Sequence, residues 1–475
     1  MKKLYILFII GILLVSANTI ANSSGSPTST RTDFDPLVDI SVTVEIKKIR
    51  FLDIDELRTF PKNKGTAIPN FYVNVFINDE AFTSPVWNDM KYVTDPSWNA
   101  TLNVPDEVEL VTITLELWSD ETEDVPYDLS ADRETYDVTL LYSIKTGHWT
   151  GDDSVGDTSG YGRLSGCDDG TIYDNDRDCE LWFDITQTDY DGDHIPYWVE
   201  VETLGTDPTV DDTALDPDND TIPTYWEYRW GYQPLTWDDH ENLDPDNDSI
   251  NNIEEYLTSQ WYSDPFRKDL FVEMDIMGEG PNGEKTYYPE NAGELETTAF
   301  NKQNIVFHLD RGTMGGHDIL PFIATPGRDD LEKFYRDYFL HGDSNNWRRG
   351  VFHYGLVIYD ASIAGYTFQP NAFQIASSKL ENKAEKQPWL NRDIIYGSCY
   401  MHELGHSLGF FLIPGHNRLS RYPWQLGWWL AHSYRSCMNY GWTYLIVDYS
   451  DGSRRAPDLD DWNRMSYSYF EDDWH

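Results

Sequence analysis

A histidine, a glutamate and a second histidine at fixed spacing impose a helix on the string Cys399-Tyr-Met-His402-Glu403-Leu-Gly-His406-Ser-Leu-Gly409. On an α-helix residues four apart lie one above the other, so His402 and His406 can present two imidazole nitrogens to one metal ion while Glu403 reaches a water that the ion activates. That combination is suited to hydrolysis. A zinc ion brings the pKa of its water toward neutrality and polarises a carbonyl, and Glu403 takes the proton as general base. Three residues beyond His406, Gly409 can adopt the left-handed conformation that ends a helix and turns the chain back toward the metal.

Downstream lies Ser436-Cys437-Met438-Asn439-Tyr440. The two motifs together resemble those of the metzincin metalloproteases, whose zinc helix reads HExxHxxGxxH or D and whose methionine turn lies beneath the metal. The resemblance covers about residues 266 to 475 and implies an α+β catalytic domain with a mixed sheet, bound Zn2+, and a protein or peptide substrate. It implies Met438 as the methionine of the turn and a role for Tyr440 near the oxyanion. The family's third ligand falls at Leu412, which cannot bind zinc. The nearest substitute is His416, in a turn enlarged by four residues, and His432 is a more distant one. A degenerate, inactive site is the competing reading of the same departure.

The chain opens with Lys2 and Lys3, an apolar run from Leu4 to Val15 and small residues up to Ala21. This pattern is that of a secretory signal over residues 1–21, and it predicts a secreted or surface-held protein. Outside the cell disulfides are chemically allowed, and four cysteines permit three pairings. Joining near neighbours predicts Cys167 with Cys179 and Cys399 with Cys437; the first would close an acidic loop and stabilise by about 3 kcal/mol. A net charge of −47, from 82 acidic and 35 basic residues, excludes a nucleic-acid partner and disfavours binding to an anionic membrane.

After a Ser/Thr/Pro-rich linker (22–34), residues 35–185 show alternating segments: Asp39 to Ile46, Phe71 to Ile77 and Val111 to Trp118. Period-two apolar residues with turn-rich spacers predict an antiparallel β-sandwich. Thr94-Asp-Pro96-Ser-Trp98-Asn-Ala-Thr101 and the acidic run from Asp120 to Asp128 resemble a strand entry and a calcium loop of C2 domains. That likeness implies Asp53, Asp120 and Asp128 as calcium carboxylates, while Asn70 stands where the family has an aspartate.

Residues 186–265 carry three segments spaced 27 and 28 residues apart. In the first, Asp189, Asp191, Asp193, Ile195 and Glu200 fall at loop positions 1, 3, 5, 7 and 12; in the second, Asp216, Asp218, Asp220, Ile222 and Glu227; in the third, Asp244, Asp246, Asp248, Ile250 and Glu255. This is the ligand spacing of an EF-hand calcium loop, with a short helix expected to carry each twelfth-position glutamate. The array resembles thrombospondin type-three and dockerin-like calcium repeats, which implies bound Ca2+. Position 6, glycine in EF-hands, is His194, Thr221 and Ser249 here.

In residues 266–475, Lys268 to Ile276, Asn304 to Asp310 and Phe352 to Tyr359 read as buried strands, with a helix over 292–302 between the first two. The metzincin resemblance makes Asn371 to Ser378 an antiparallel edge strand that binds substrate backbone. The leading expectation is a multidomain, secreted, calcium-stabilised zinc endopeptidase. Its rival is a calcium-dependent surface-binding protein with an inactive protease-like domain.

Overall fold

The computed structural model describes residues 40–59, 68–105, 108–153, 160–174 and 177–468. The predicted signal and linker lie outside the described residues. The first domain is two antiparallel layers. One contains β1 (Ile40–Phe51), β3 (Trp98–Val104), β6 (Gly162–Ser165) and β7 (Cys179–Gln187), in the spatial order β6-β7-β1-β3; the other is centred on β2 (Phe71–Ile77), β4 (Leu110–Ser119) and β5 (Val138–Ser143). In β2 buried residues alternate strictly with half-exposed ones, as a strand facing a single core requires. Val42, Val44, Val73, Val75, Ile113 and Leu115 meet between the layers.

The acidic segment follows as three loops with their helical turns. The first turn starts at Tyr197 and widens over Glu200–Leu204; the second and third are α1 (Thr224–Arg229) and α2 (Asn252–Thr258). Ile195, Ile222 and Ile250 point inward, and Trp226 and Trp230 pack with Tyr161 and Trp182 of the sandwich and Val306 of the C-terminal domain. The repeats are therefore a wedge with an aromatic core shared by all three regions.

The C-terminal domain is an α+β unit. Its main sheet runs β9-β8-β10-β12-β11, from β8 (Asp269–Met277), β9 (Val306–Asp310), β10 (Phe352–Ile358), β11 (Gly365–Gln369) and β12 (Ala372–Ala376). All neighbours are parallel except β11 on β12. The crossover helix α3 (Glu290–Asn301) and the long helix α5 (Arg392–Ser407) pack on one face, with α4 (Ser377–Lys386) preceding α5. The predicted edge strand needs correction: Ala372–Ala376 is interior and parallel to β10, and the antiparallel edge is β11, just before it in sequence. Every residue of β12 is buried, which suits a strand covered on both faces; those of β11 are mostly half-exposed. The last described helical element is one 3₁₀ turn, Trp462–Arg464.

The disulfide expectation is also corrected. All four cysteines are free, buried thiols. Cys167 donates to Asp178 Oδ2 at 3.1 Å and lies 3.5 Å from Lys302 Nζ, while Cys399 and Cys437 belong to the apolar core beneath α5. Burial drives all four thiols well above their ordinary pKa, the state of an inert structural cysteine. No described helix is long and apolar enough to cross a membrane.

Candidate metal centres

Helix α5 starts from Asn391, whose side chain accepts from Asp393 N, and ends where Gly409 takes a φ of 83°. Its inner face carries His402, Glu403 and His406. The chain then turns twice. Leu412, at the family's third-ligand position, points into solvent at 98% exposure, and Gly415 brings the next residue back over the helix. His402, His406 and His416 each place a ring nitrogen within 4.8 Å of the other two. Nε2 of His416 is 3.2 Å from Nε2 of His402, close to the separation of about 3.3 Å that two imidazoles have on a tetrahedral zinc at about 2.0–2.1 Å.

The tautomers agree with that use. His402 Nδ1 lies 2.8 Å from the carbonyl oxygen of Cys437, and His406 Nδ1 lies 2.9 Å from that of Phe410. A carbonyl has no proton to give, so both Nδ1 atoms donate and both Nε2 lone pairs point inward. Burial, then the neighbouring rings, holds His402 well below the ordinary histidine pKa; burial lowers His416 to about 4, so the rings are neutral. Glu403 is buried, and desolvation lifts its carboxyl to about 8; a dication beside it would favour the charged form again.

Met438 lies beneath the helix, where a methyl group on Gly405 would come within 2.5 Å of its sulfur. Tyr440 flanks the histidines, with ring centroids 4.3 Å from His416 and 5.6 Å from His402, and Arg421 lies 4.9 Å over its ring. Edge strand β11 crosses the helix at Glu403: Thr367 Oγ1 donates to the Glu403 carbonyl at 3.3 Å. His432 is elsewhere, with its ring between those of Trp428 and Trp442 at 4.1 and 5.1 Å. His308, His317 and His353 are held by Asp269, the Met274 carbonyl and Ser407 respectively.

No protein-family model and no curated protein matches the chain. Among solved structures, human GIVD cytosolic phospholipase A2 is 12% identical at a TM-score of 0.19, over 32% of this chain and 17% of that one. A structure described as a C2 domain is 12% identical at 0.19, over 31% of this chain and 98% of its own, and the paired C2 domains of Extended-Synaptotagmin 2 are 11% identical at 0.20, over 39% and 51%. These likenesses are too weak to assign a family.

The acidic loops repeat one geometry three times. The first aspartate of each accepts two backbone N–H groups, from Gly192 and His194, from Asn219 and Thr221, and from Asn247 and Ser249. His194, Thr221 and Ser249 have φ of 71°, 87° and 74°, so position 6 keeps the left-handed turn without a glycine. The carboxylates of Asp189, Asp191 and Asp193 converge, as do those of Asp216, Asp218 and Asp220. The helical turns deliver Glu200, Glu227 and Glu255, each fully buried or nearly so. Unbonded buried oxygens remain in every loop: Glu200 Oε2, both of Glu227, Asp246 Oδ2 and Glu255 Oε1. Buried carboxylate oxygens left unbonded are costly, and a cation in the loop would satisfy them. Burial, followed by neighbouring carboxylates, raises Glu200 to about 8 and Glu255 well above its usual value.

Residues outside the predicted ligand set also reach these loops. Asp212 joins Asp193 and Glu200 in the first, and His240 joins Asp220 and Glu227 in the second. Asp212 belongs to a repeated pattern, in which the backbone N–H groups of Asp212, Asp238 and Asp269, 18 to 21 residues on, bond the position-5 aspartates; His240 stands outside it. Of the sandwich aspartates expected to bind calcium, Asp120 is exposed and the other two are engaged within the domain. Asp53 accepts from Asp55 N and faces Lys91 at 3.6 Å, and Asp128 accepts from Ser130 N.

Proposed function

We propose that the chain is a zinc-dependent endopeptidase braced by calcium, acting outside the cell. The observation that carries this reading is the convergence of His402, His406 and His416, two of them in the tautomer that frees Nε2, with Glu403 next to them in sequence and buried. When bound, zinc supplies the Lewis acidity that activates water and polarises the scissile carbonyl. The three histidines would hold it through their Nε2 atoms. Glu403 takes the proton from the attacking water and passes it to the leaving amine; its dry setting makes that acceptance favourable near neutral pH. Tyr440, beside His402 and His416, is the donor for the developing oxyanion. β11, at the edge of the sheet above Glu403, aligns an extended polypeptide by strand addition.

The segment that carries His416 and Tyr440 has its own chemistry. No Asp or Glu occurs between Glu403 and Asp448, a stretch that includes Arg418, Arg421 and Arg435. Trp424 and Leu426 are exposed there at 79% and 74%. In a chain of net charge −47, this acid-free segment with exposed apolar side chains suits an apolar or acidic polypeptide better than the rest of the surface does. Glu403→Gln tests the reading: zinc content and fold are expected to stay, and casein hydrolysis to fall by about 10²–10⁴-fold. Full activity in a zinc-loaded Glu403→Gln chain would overturn Glu403 as the base, and a zinc-loaded wild type that hydrolyses no casein would leave the rival, a calcium-dependent surface protein.

A further inference from the structure

The three loops are built alike except for what each residue brought in from outside the loop offers. In the first loop the outside residue is Asp212, and in the third it is Asp269, whose backbone N–H bonds Asp248 at 2.6 Å and whose carboxylate is held by His308. In the second the counterpart is Asp238, whose backbone N–H bonds Asp220 at 3.2 Å, and a further outside residue enters with it: His240, an imidazole, with 1% exposure. Its Nε2 lies 3.2 Å from Asp220 Oδ2 and 3.7 Å from Glu227 Oε1. Neither Nε2 nor either Glu227 oxygen has a hydrogen bond of ordinary geometry, and all are buried.

The far side of the ring supports a metal role for the near side. His240 Nδ1 is 2.9 Å from the side-chain amide of Asn252, which is itself fully buried. With the amide nitrogen toward the ring, Asn252 Oδ1 is left without a partner. Exchanging the amide O and N lets Nδ1–H donate to Oδ1. The proton is then on Nδ1, and in the neutral ring the Nε2 lone pair faces Asp220 and Glu227. This is the arrangement by which an outer amide or carbonyl orients a metal-binding histidine.

We propose that Asp220, Glu227 and His240 form a mixed nitrogen and oxygen site, selective for a borderline transition-metal dication such as Zn2+ over Ca2+. Calcium favours all-oxygen shells, which the first and third loops provide, whereas imidazole suits zinc and its neighbours in the transition series. The inference rests on reading the acidic loops as cation sites, and it adds that the second differs in kind. The alternative role for His240 is that of a protonated counter-charge to the two carboxylates, with no metal.

Metal analysis of the full chain, dialysed against Zn2+ with calcium in excess, separates these roles. The wild type is expected to hold one more zinc than His240→Gln, while His240→Gln keeps its proteolytic activity. Equal zinc content in the two would overturn the site. Failure of the protease reading lowers zinc in both proteins equally and leaves that difference standing, so the two failures are distinguishable. Should His240→Gln not fold, the His402→Ala chain decides: Co2+ added in the presence of calcium is expected to broaden the His240 ring resonances beyond detection. Resonances that stay sharp would assign His240 as a counter-charge.

Discussion

Gly365 shows how closely the edge strand is fitted to the general base. A methyl group there would sit 2.6 Å from Glu403 Oε1 and 2.7 Å from its Cγ. Gly365→Ala should therefore push the carboxylate aside while leaving the histidines in place, and a displacement of about 1 Å can cost about 10²-fold in rate. The expected result is a kcat lowered to that extent at unchanged zinc content; an unchanged kcat would show that β11 does not position Glu403. The third ligand is testable at the same scale. His416→Ala should lose zinc affinity by orders of magnitude, and His432→Ala, whose ring is stacked between tryptophans, should retain stoichiometric zinc in a titration. His402, Glu403 and His406 were legible because helical spacing alone places them on one face. His416 was legible as the nearest histidine after an unusable leucine. The fit of Gly365 to Glu403 was not, because it joins residues 38 apart through the curl of a sheet, which leaves no local pattern.

At the level of single elements, the convergence of the acidic side chains was legible, since spacing within twelve residues is enough to gather them in one loop. The loops' non-glycine sixth positions are a strain that the sequence announced and the structure confirms. Thr221 is the sharpest case, a β-branched residue at a φ of 87°. Left-handed backbone costs a non-glycine residue about 1–2 kcal/mol, and glycine gives back about 0.5–1 kcal/mol of that through the entropy of the unfolded chain. Thr221→Gly is expected to stabilise the protein by something below about 1 kcal/mol, read as a rise in Tm. A fall in Tm would mean that the threonine side chain makes a contact worth more than the strain. The edge strand was placed one strand too late because Ala372–Ala376 and Gly365–Gln369 are both short, and only their burial in the folded sheet tells interior from edge. The disulfides failed for a similar reason: cysteine count and compartment permit a bond, but the partners of Cys167 are Asp178 and Lys302.

Across the whole molecule, the three regions are interlocked more tightly than their sequence boundaries indicated. Arg163 and Glu180 of the sandwich form a buried ion pair at 2.5 Å, and Asn301 at the end of α3 donates to Glu180 at 2.8 Å. Thr59 N bonds the Leu445 carbonyl at 2.8 Å, and Val447 N bonds that of Leu57 at 2.8 Å, so the sandwich clasps the segment just beyond the methionine turn. The acidic repeats are wedged between, and their protonation should be felt throughout. A carboxyl whose pKa is higher in the folded chain than in the unfolded one contributes stability that is complete below the unfolded value and lost as pH rises through the folded value. For Glu200 that window runs from 4.5 to about 8, and Asp248 and Glu255 are shifted in the same direction by burial. The metal-free protein should therefore lose Tm steadily between about pH 5 and pH 8, as buried carboxyls are forced to ionise beside one another. Calcium neutralises them, so the calcium-loaded protein should show a much flatter profile over the same range. The expected signature is a fall in Tm on chelation that is small near pH 5 and large near pH 7.5, with new proteolytic cuts between Asp189 and Glu255. A chelation effect independent of pH, or cuts confined to other regions, would show that the loops do not hold the molecule together through bound cations.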